Sequence, residues 1–179
     1  KGVSPYRRSK LATIEGKRLV TITTTKALAS AVAYAAEDVL SEHATTGTDW
    51  DFDTAGKVNG GTGYIVKAQA ICETTAVIPR LTLYLFNTAP TSALNDNVAN
   101  TALLHADLAK YIGKIDFPAM EDLGGDSESI ASPSTYGNLP LAFNCASADD
   151  ALYGILVTRD VFTNTATNDM TIKLVVEQY

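Results

Sequence analysis

The chain has 179 residues, 46% of them hydrophobic and 19% charged, which is enough apolar content to bury a core and excludes disorder as a description of the whole. Two cysteines, Cys72 and Cys145, sit in separate apolar stretches, too few for a disulfide framework or a zinc site; buried free thiols are expected, as in a reducing compartment. No apolar run reaches the roughly 18 residues of a membrane helix, and the first residues form no leader-like apolar segment, so no membrane partner is expected.

The net charge of −6 is unevenly spread. In the first 18 residues Lys1, Arg7, Arg8, Lys10, Lys17 and Arg18 face only Glu15, a net of +5, while the remainder carries −11. Residues 1–17 therefore read as an extended basic arm ahead of a single domain over 18–179. A basic arm on an acidic body suits docking to an acidic neighbour, including another copy; a solvated tail is the competing reading. The body lacks the clustered Lys and Arg that phosphate neutralisation needs, so nucleic acid is not expected as a partner.

In chain order, the periodicity is that of strands. Residues 19–25 are almost all β-branched, and 33–40 form a poorer strand. Residues 64–73 alternate, with Tyr64, Val66, Ala68, Ala70 and Cys72 expected on the inner face. Pro79 turns the chain into 80–87, where Leu81, Leu83 and Leu85 should point inward. Strands follow at 112–117, 139–143, 152–159 and 170–177. The stretch 102–111 predicts one short helix with Leu104, Leu108 and Tyr111 on one side. Long connections rich in Gly, Ser, Thr and Asp span 42–63 and 121–138. About eight strands with little helix predict an all-β antiparallel sandwich, jelly-roll-like in its long end loops.

Chemistry-bearing motifs are sparse. Asp49, Asp51 and Asp53 alternate with Trp50 and Phe52, so a strand here would set three carboxylates on one face and two aromatics on the other. Thr54 and Gly60 stand where a calcium loop needs its glycine and its bidentate glutamate, which excludes an EF-hand. A solvated strand face with Trp50 packed beneath is favoured over calcium bound with distant ligands. Gly60-Gly61-Thr62-Gly63 lacks the Lys-Ser/Thr of a phosphate loop and reads as a turn. His43 and His105 have no metal-ligand spacing, and no nucleophile elbow is present. No catalytic residue, cofactor or metal is assigned, and an enzyme is not expected.

Several segments in order carry a resemblance: Tyr34-Ala35-Ala36-Glu37-Asp38-Val39 after a Thr-rich strand, Leu83-Tyr84-Leu85-Phe86-Asn87-Thr88-Ala89-Pro90, the run 108–115, Leu139-Pro140-Leu141-Ala142-Phe143 and 152–159. Together they resemble the small structural proteins encoded beside major capsid genes in tailed bacteriophages. The resemblance implies a capsid decoration (cement) protein made in the host cytoplasm. It would bind the capsid exterior of the virion and bridge neighbouring major capsid protein subunits. It also implies self-association, a homotrimer ahead of a homodimer. The residues expected to touch partners are Arg7, Arg8, Lys10, Lys17 and Arg18 of the arm, with Trp50 and Phe52 from the 42–63 insert. The alternative is a carbohydrate-binding or receptor-binding sandwich module of a phage tail or adhesin, with Trp50 and tyrosines as stacking platforms.

Overall fold

The structure, a computed structural model, describes residues 16–29, 33–134, 138–165 and 168–179. Among the described residues strands take up 48% and helical residues 2%, which fixes the all-β class expected from the alternation. The strands are β1 (Arg18–Ala27), β2 (Ala33–Tyr34), β3 (Val39–Leu40), β4 (Trp50–Phe52), β5 (Thr62–Cys72), β6 (Leu81–Phe86), β7 (Tyr111–Phe117), β8 (Glu121–Asp122), β9 (Ser127–Ala131), β10 (Leu141–Asn144), β11 (Leu152–Thr158), β12 (Phe162–Thr163) and β13 (Asp169–Gln178).

Two antiparallel sheets face each other. The larger runs β1-β13-β5-β9-β8, and β10 shares with β9 the edge of β5 that β13 leaves free. The smaller runs β3-β11-β6-β7, with β4 beside β3 on the same edge of β11. A two-stranded ladder joins β12 to β2. Inward residues alternate as a half-buried sheet requires: Met170, Ile172, Leu174 and Val176 of β13 and Leu81, Leu83 and Leu85 of β6 are all fully buried.

The phase expected for β5 is corrected at its first half. A bulge between Val175 and Val176 skips one residue, so Val175 faces Lys67 while Val176 faces Ile65. Gly63 and Ile65 thus join Ala68, Ala70 and Cys72 inside, Tyr64 turns outward, and Val66 is only half-buried. Gly63 is required there: a Cβ would lie 2.4 Å from the Glu177 carbonyl oxygen and 2.7 Å from Phe143 Cζ.

The helix expected over 102–111 is corrected to one 3-10 turn, His105–Asp107. The chain from β6 to β7 lies instead across the outer face of the smaller sheet, where Leu94, Val98 and Leu103 pack on Phe86, Ile155 and Val157. That second, smaller core explains why β11 is buried on both faces. The segment is tied down by Asp107, fully buried, whose carboxylate accepts from Thr91 N and Oγ1 and from Ser92 N and Oγ at 2.8–3.0 Å. The single strand expected over 33–40 splits into β2 and β3, because Glu37 turns left-handed at φ 73° and Asp38 Oδ2 accepts the Ala35 N–H at 2.7 Å.

Candidate interaction surface

Around β4 the sequence builds two faces from one strand. Trp50 and Phe52 point into the core, 1% and 0% exposed, and Trp50 Nε1 donates to the Leu40 carbonyl at 2.9 Å. This corrects their assignment as partner contacts: both are consumed by the chain's own interior, because β4 pairs with the central strand β11. The same burial removes Trp50 as a sugar-stacking platform. The expectation of an aspartate face with Trp50 beneath it describes the strand correctly.

Asp51 faces out from the strand, opposite Tyr153 in β11, with Asp49 and Asp53 on either side. Partial burial, then the charges of Asp49 and Asp53, push its carboxyl up to about 6. Burial also raises Asp49. Beside them Asp149 accepts a short hydrogen bond from the Tyr153 hydroxyl, which holds Asp149 below the usual carboxylate range and Tyr153 above its own. Four carboxylates thus form an acidic ridge around Tyr153. The nearby cation, Lys26, has its Nζ committed to Glu42 Oε2 at 2.5 Å and to Thr48 O and Oγ1. Among the described residues no three His, Cys, Asp or Glu side chains are grouped to hold a metal ion.

Of the arm residues, Arg7, Arg8 and Lys10 lie outside the described residues. Lys17 Nζ sits 2.6 Å from Glu177 Oε1 and 4.7 Å from the centroid of the Tyr179 ring, contacts that raise it above its ordinary range. Arg18, exposed, opens β1 opposite Gln178. A groove of about 260 Å³ runs from Arg18, Val20 and Ile22 on β1 to Thr54, Lys57 and Asp150, so Arg18 shares its wall with one cation and one carboxylate.

Other features are already spent on structure. A more apolar groove of about 620 Å³ lies between Phe117, Pro118 and Ala119 on one side and Ile130 and Ala131 on the other. Its charged members are engaged: Arg80 with Asp160 at 2.7 Å, and Asp116 with Thr82, Lys114 and Asn138. His43 Nδ1 accepts from Thr46 N at 3.2 Å, so that ring closes its own loop. Sequence reasoning missed Tyr153 and Gln178, which acquire Asp51 and the Thr54 and Ala55 carbonyls only through long-range pairing, and it set aside Asp149 as one of a pair of adjacent carboxylates. Comparison with known proteins adds no assignment: no protein-family model matches the chain, and no curated protein is similar to it in sequence.

Proposed function

We propose that the chain is a structural binding module of a tailed-phage head, a decoration protein that binds the capsid exterior and bridges neighbouring major capsid protein subunits. The observation that supports this best is the separation of charge: a basic leading segment in the sequence and, on the body, an acidic ridge at Asp49, Asp51, Asp53 and Asp149 whose neighbouring Lys26 is committed to Glu42 and Thr48. A module of this kind presents opposite charges at two places, so it can link successive neighbours, and complementary potentials set register and rate of docking. Long connections are preorganised rather than loose. Asp96 accepts from Tyr34 Oη at 2.9 Å and from Ser41 N at 2.8 Å, and Asp107 anchors the crossing of the smaller sheet. Preorganisation lowers the ordering cost of binding.

The protein would stabilise the assembled shell because it binds that state and not the free subunits. The jelly-roll arrangement and the trimeric state implied by the resemblance belong to this proposal. The test is co-sedimentation with purified empty heads of a tailed phage that encodes the chain beside its capsid gene. Saturable occupancy in a fixed ratio to capsid subunits, with heads that survive higher temperature, is expected. Absence of binding to intact heads at saturating protein overturns the reading.

A further inference from the structure

We infer that the groove between β1 and the loop after β4 is a binding site for a small zwitterion, a free α-amino acid with a short aliphatic side chain. The inference stands apart from the capsid reading. It begins with Gln178, which closes β13 and, 2% exposed, forms the floor of the groove. Its Nε2 donates to the Thr54 and Ala55 carbonyls at 2.6 and 3.0 Å. Only the amide nitrogen can donate to two carbonyls, so the side chain has one orientation and Oε1 is turned away from them. That oxygen has no donor among the described residues. Buried acceptors in folded proteins are nearly always satisfied, and one left over beside a cavity is a place for an incoming N–H.

The walls carry the rest of the chemistry. Arg18, exposed, stands on β1 directly opposite Gln178. Asp150 stands on the other side, its backbone carbonyl held by the Gly56 N–H at 2.7 Å and the Cys145 thiol at 3.3 Å. Neither the Arg18 guanidinium nor the Asp150 carboxylate has an ion pair among the described residues, with each other or with a third group. A plain anion would answer Arg18 and Lys57 and leave Asp150 and Gln178 Oε1 without partners. A plain cation, metal ions included, would answer those two acceptors against the repulsion of Arg18 and Lys57. A zwitterion answers both. Its carboxylate takes the planar fork of Arg18, and its ammonium, with three N–H donors, takes Asp150 and Oε1.

Size and lining narrow the ligand further. The groove encloses about 260 Å³, below the range of about 300–1,000 Å³ that drug-sized molecules fill, so the occupant is small. Val20 and Ile22 offer aliphatic surface beside Arg18, which suits a short branched side chain. Gln178 Oε1 is shielded from bulk water, so the ammonium reaches it only as the wall gives. Arg18, exposed and without an ion pair, is free to swing aside and then close on the carboxylate.

The experiment is a backbone and side-chain amide NMR titration of the full-length protein with three probes of nearly one shape. These are L-valine, L-valinamide, which lacks the carboxylate, and isovalerate, which lacks the ammonium. L-valine should shift the resonances of residues 18–22 and 54–57 and the Gln178 side-chain amide together and to saturation. The other two probes should bind at least about tenfold more weakly, because each leaves one charged partner unanswered. Arg18→Gln should lower L-valine to the level of L-valinamide, and Asp150→Asn should lower it to that of isovalerate. Thermal unfolding should stay unchanged in both variants, since neither side chain is bonded within the fold. An equal response to all three probes, no saturation with L-valine, or L-valine affinity that survives both substitutions would each overturn the inference.

Discussion

Lys26 Nζ lies 2.5 Å from Glu42 Oε2 and stands over the Trp50 ring, so one inward-turned cation on β1 joins the edge of the larger sheet to the loop ahead of β4. Burial opposes ionisation of Glu42, but Lys26, Thr48 and Ser41 outweigh it and hold the carboxyl at about 2. Lys26→Ala strands that carboxylate and should cost about 2 kcal/mol in urea unfolding at neutral pH. Glu42 titrates near 4.5 when unfolded and near 2 when folded, so its contribution is complete above about pH 5 and drains away as pH falls toward 2. The deficit of Lys26→Ala should therefore shrink in acid. An equal deficit at pH 3 and pH 7 would place the loss in packing against Trp50 rather than in the ion pair.

Asp107 is the anchor of the segment between β6 and β7. Burial works against its charge, yet donors from Thr91 and Ser92 keep it below the ordinary carboxylate range. Asp107→Asn turns one acceptor into an N–H₂ facing those donors, and a loss of about 3 kcal/mol is expected. Limited proteolysis should then cut within 88–104 while both sheets stay resistant, because the crossing packs on the outer face of the smaller sheet and not in the main core. A variant cut no faster than the parent would show that Leu94, Val98 and Leu103 hold the crossing without the carboxylate.

What was legible in the sequence follows how local its cause is. Met170, Ile172, Leu174 and Val176 announce β13 because two-residue alternation needs only the strand itself. Tyr64 and Val66 misled because β5 itself bulges at Val66, the residue skipped where Val175 pairs with Lys67 and Val176 with Ile65, a register set by β13 more than 100 positions away in sequence. Residues 102–111 have helical spacing, but Leu103 finds Phe86 and Ile155, and Asp107 finds Thr91, so tertiary contacts take over a weak local preference. The pair β8–β9 sits in a Gly- and Ser-rich stretch whose alternation, Ser127, Ser129 and Ala131 inward, uses small residues without apolar signal. Trp50 was readable as the residue beneath an aspartate face; its burial is set by β11, which the local pattern does not contain.

The cysteines give a chemical check on the core. Cys72 and Cys145 are free and buried, with Cys145 Sγ 3.3 Å from the Asp150 carbonyl oxygen. Burial pushes the Cys145 thiol up to about 11 and raises Cys72 as well, so little thiolate exists at neutral pH. Labelling by a disulfide reagent should be at least about 100-fold slower in native protein than in urea. Both thiols should then react together as the chain unfolds. Rapid labelling of one thiol under native conditions would expose a local opening of the strand that carries it.

The acidic ridge makes the sharpest prediction, because the mutual repulsion of its carboxylates lowers stability. Partial burial, then Asp49 and Asp53, raise Asp51 to about 6, with Lys26 pulling in the opposite direction. Between about pH 4 and pH 6 the folded chain holds a proton on Asp51 that the unfolded chain has lost, so stability falls as pH rises through that window and stays reduced above it. Asp51→Asn replaces the carboxyl by an uncharged amide of the same shape and removes its repulsion with Asp49 and Asp53. The Thr24 hydroxyl bonds the backbone carbonyl of residue 51 and is unaffected by the exchange. Asp51 keeps solvent contact, so screening trims the gain to about 1 kcal/mol at pH 7.5, and it should vanish near pH 4. Urea unfolding at the two pH values measures both terms. A variant no more stable than the parent at pH 7.5, or equally improved at pH 4, would mean that the ridge carries no electrostatic strain and that its aspartates are ordinary solvated side chains.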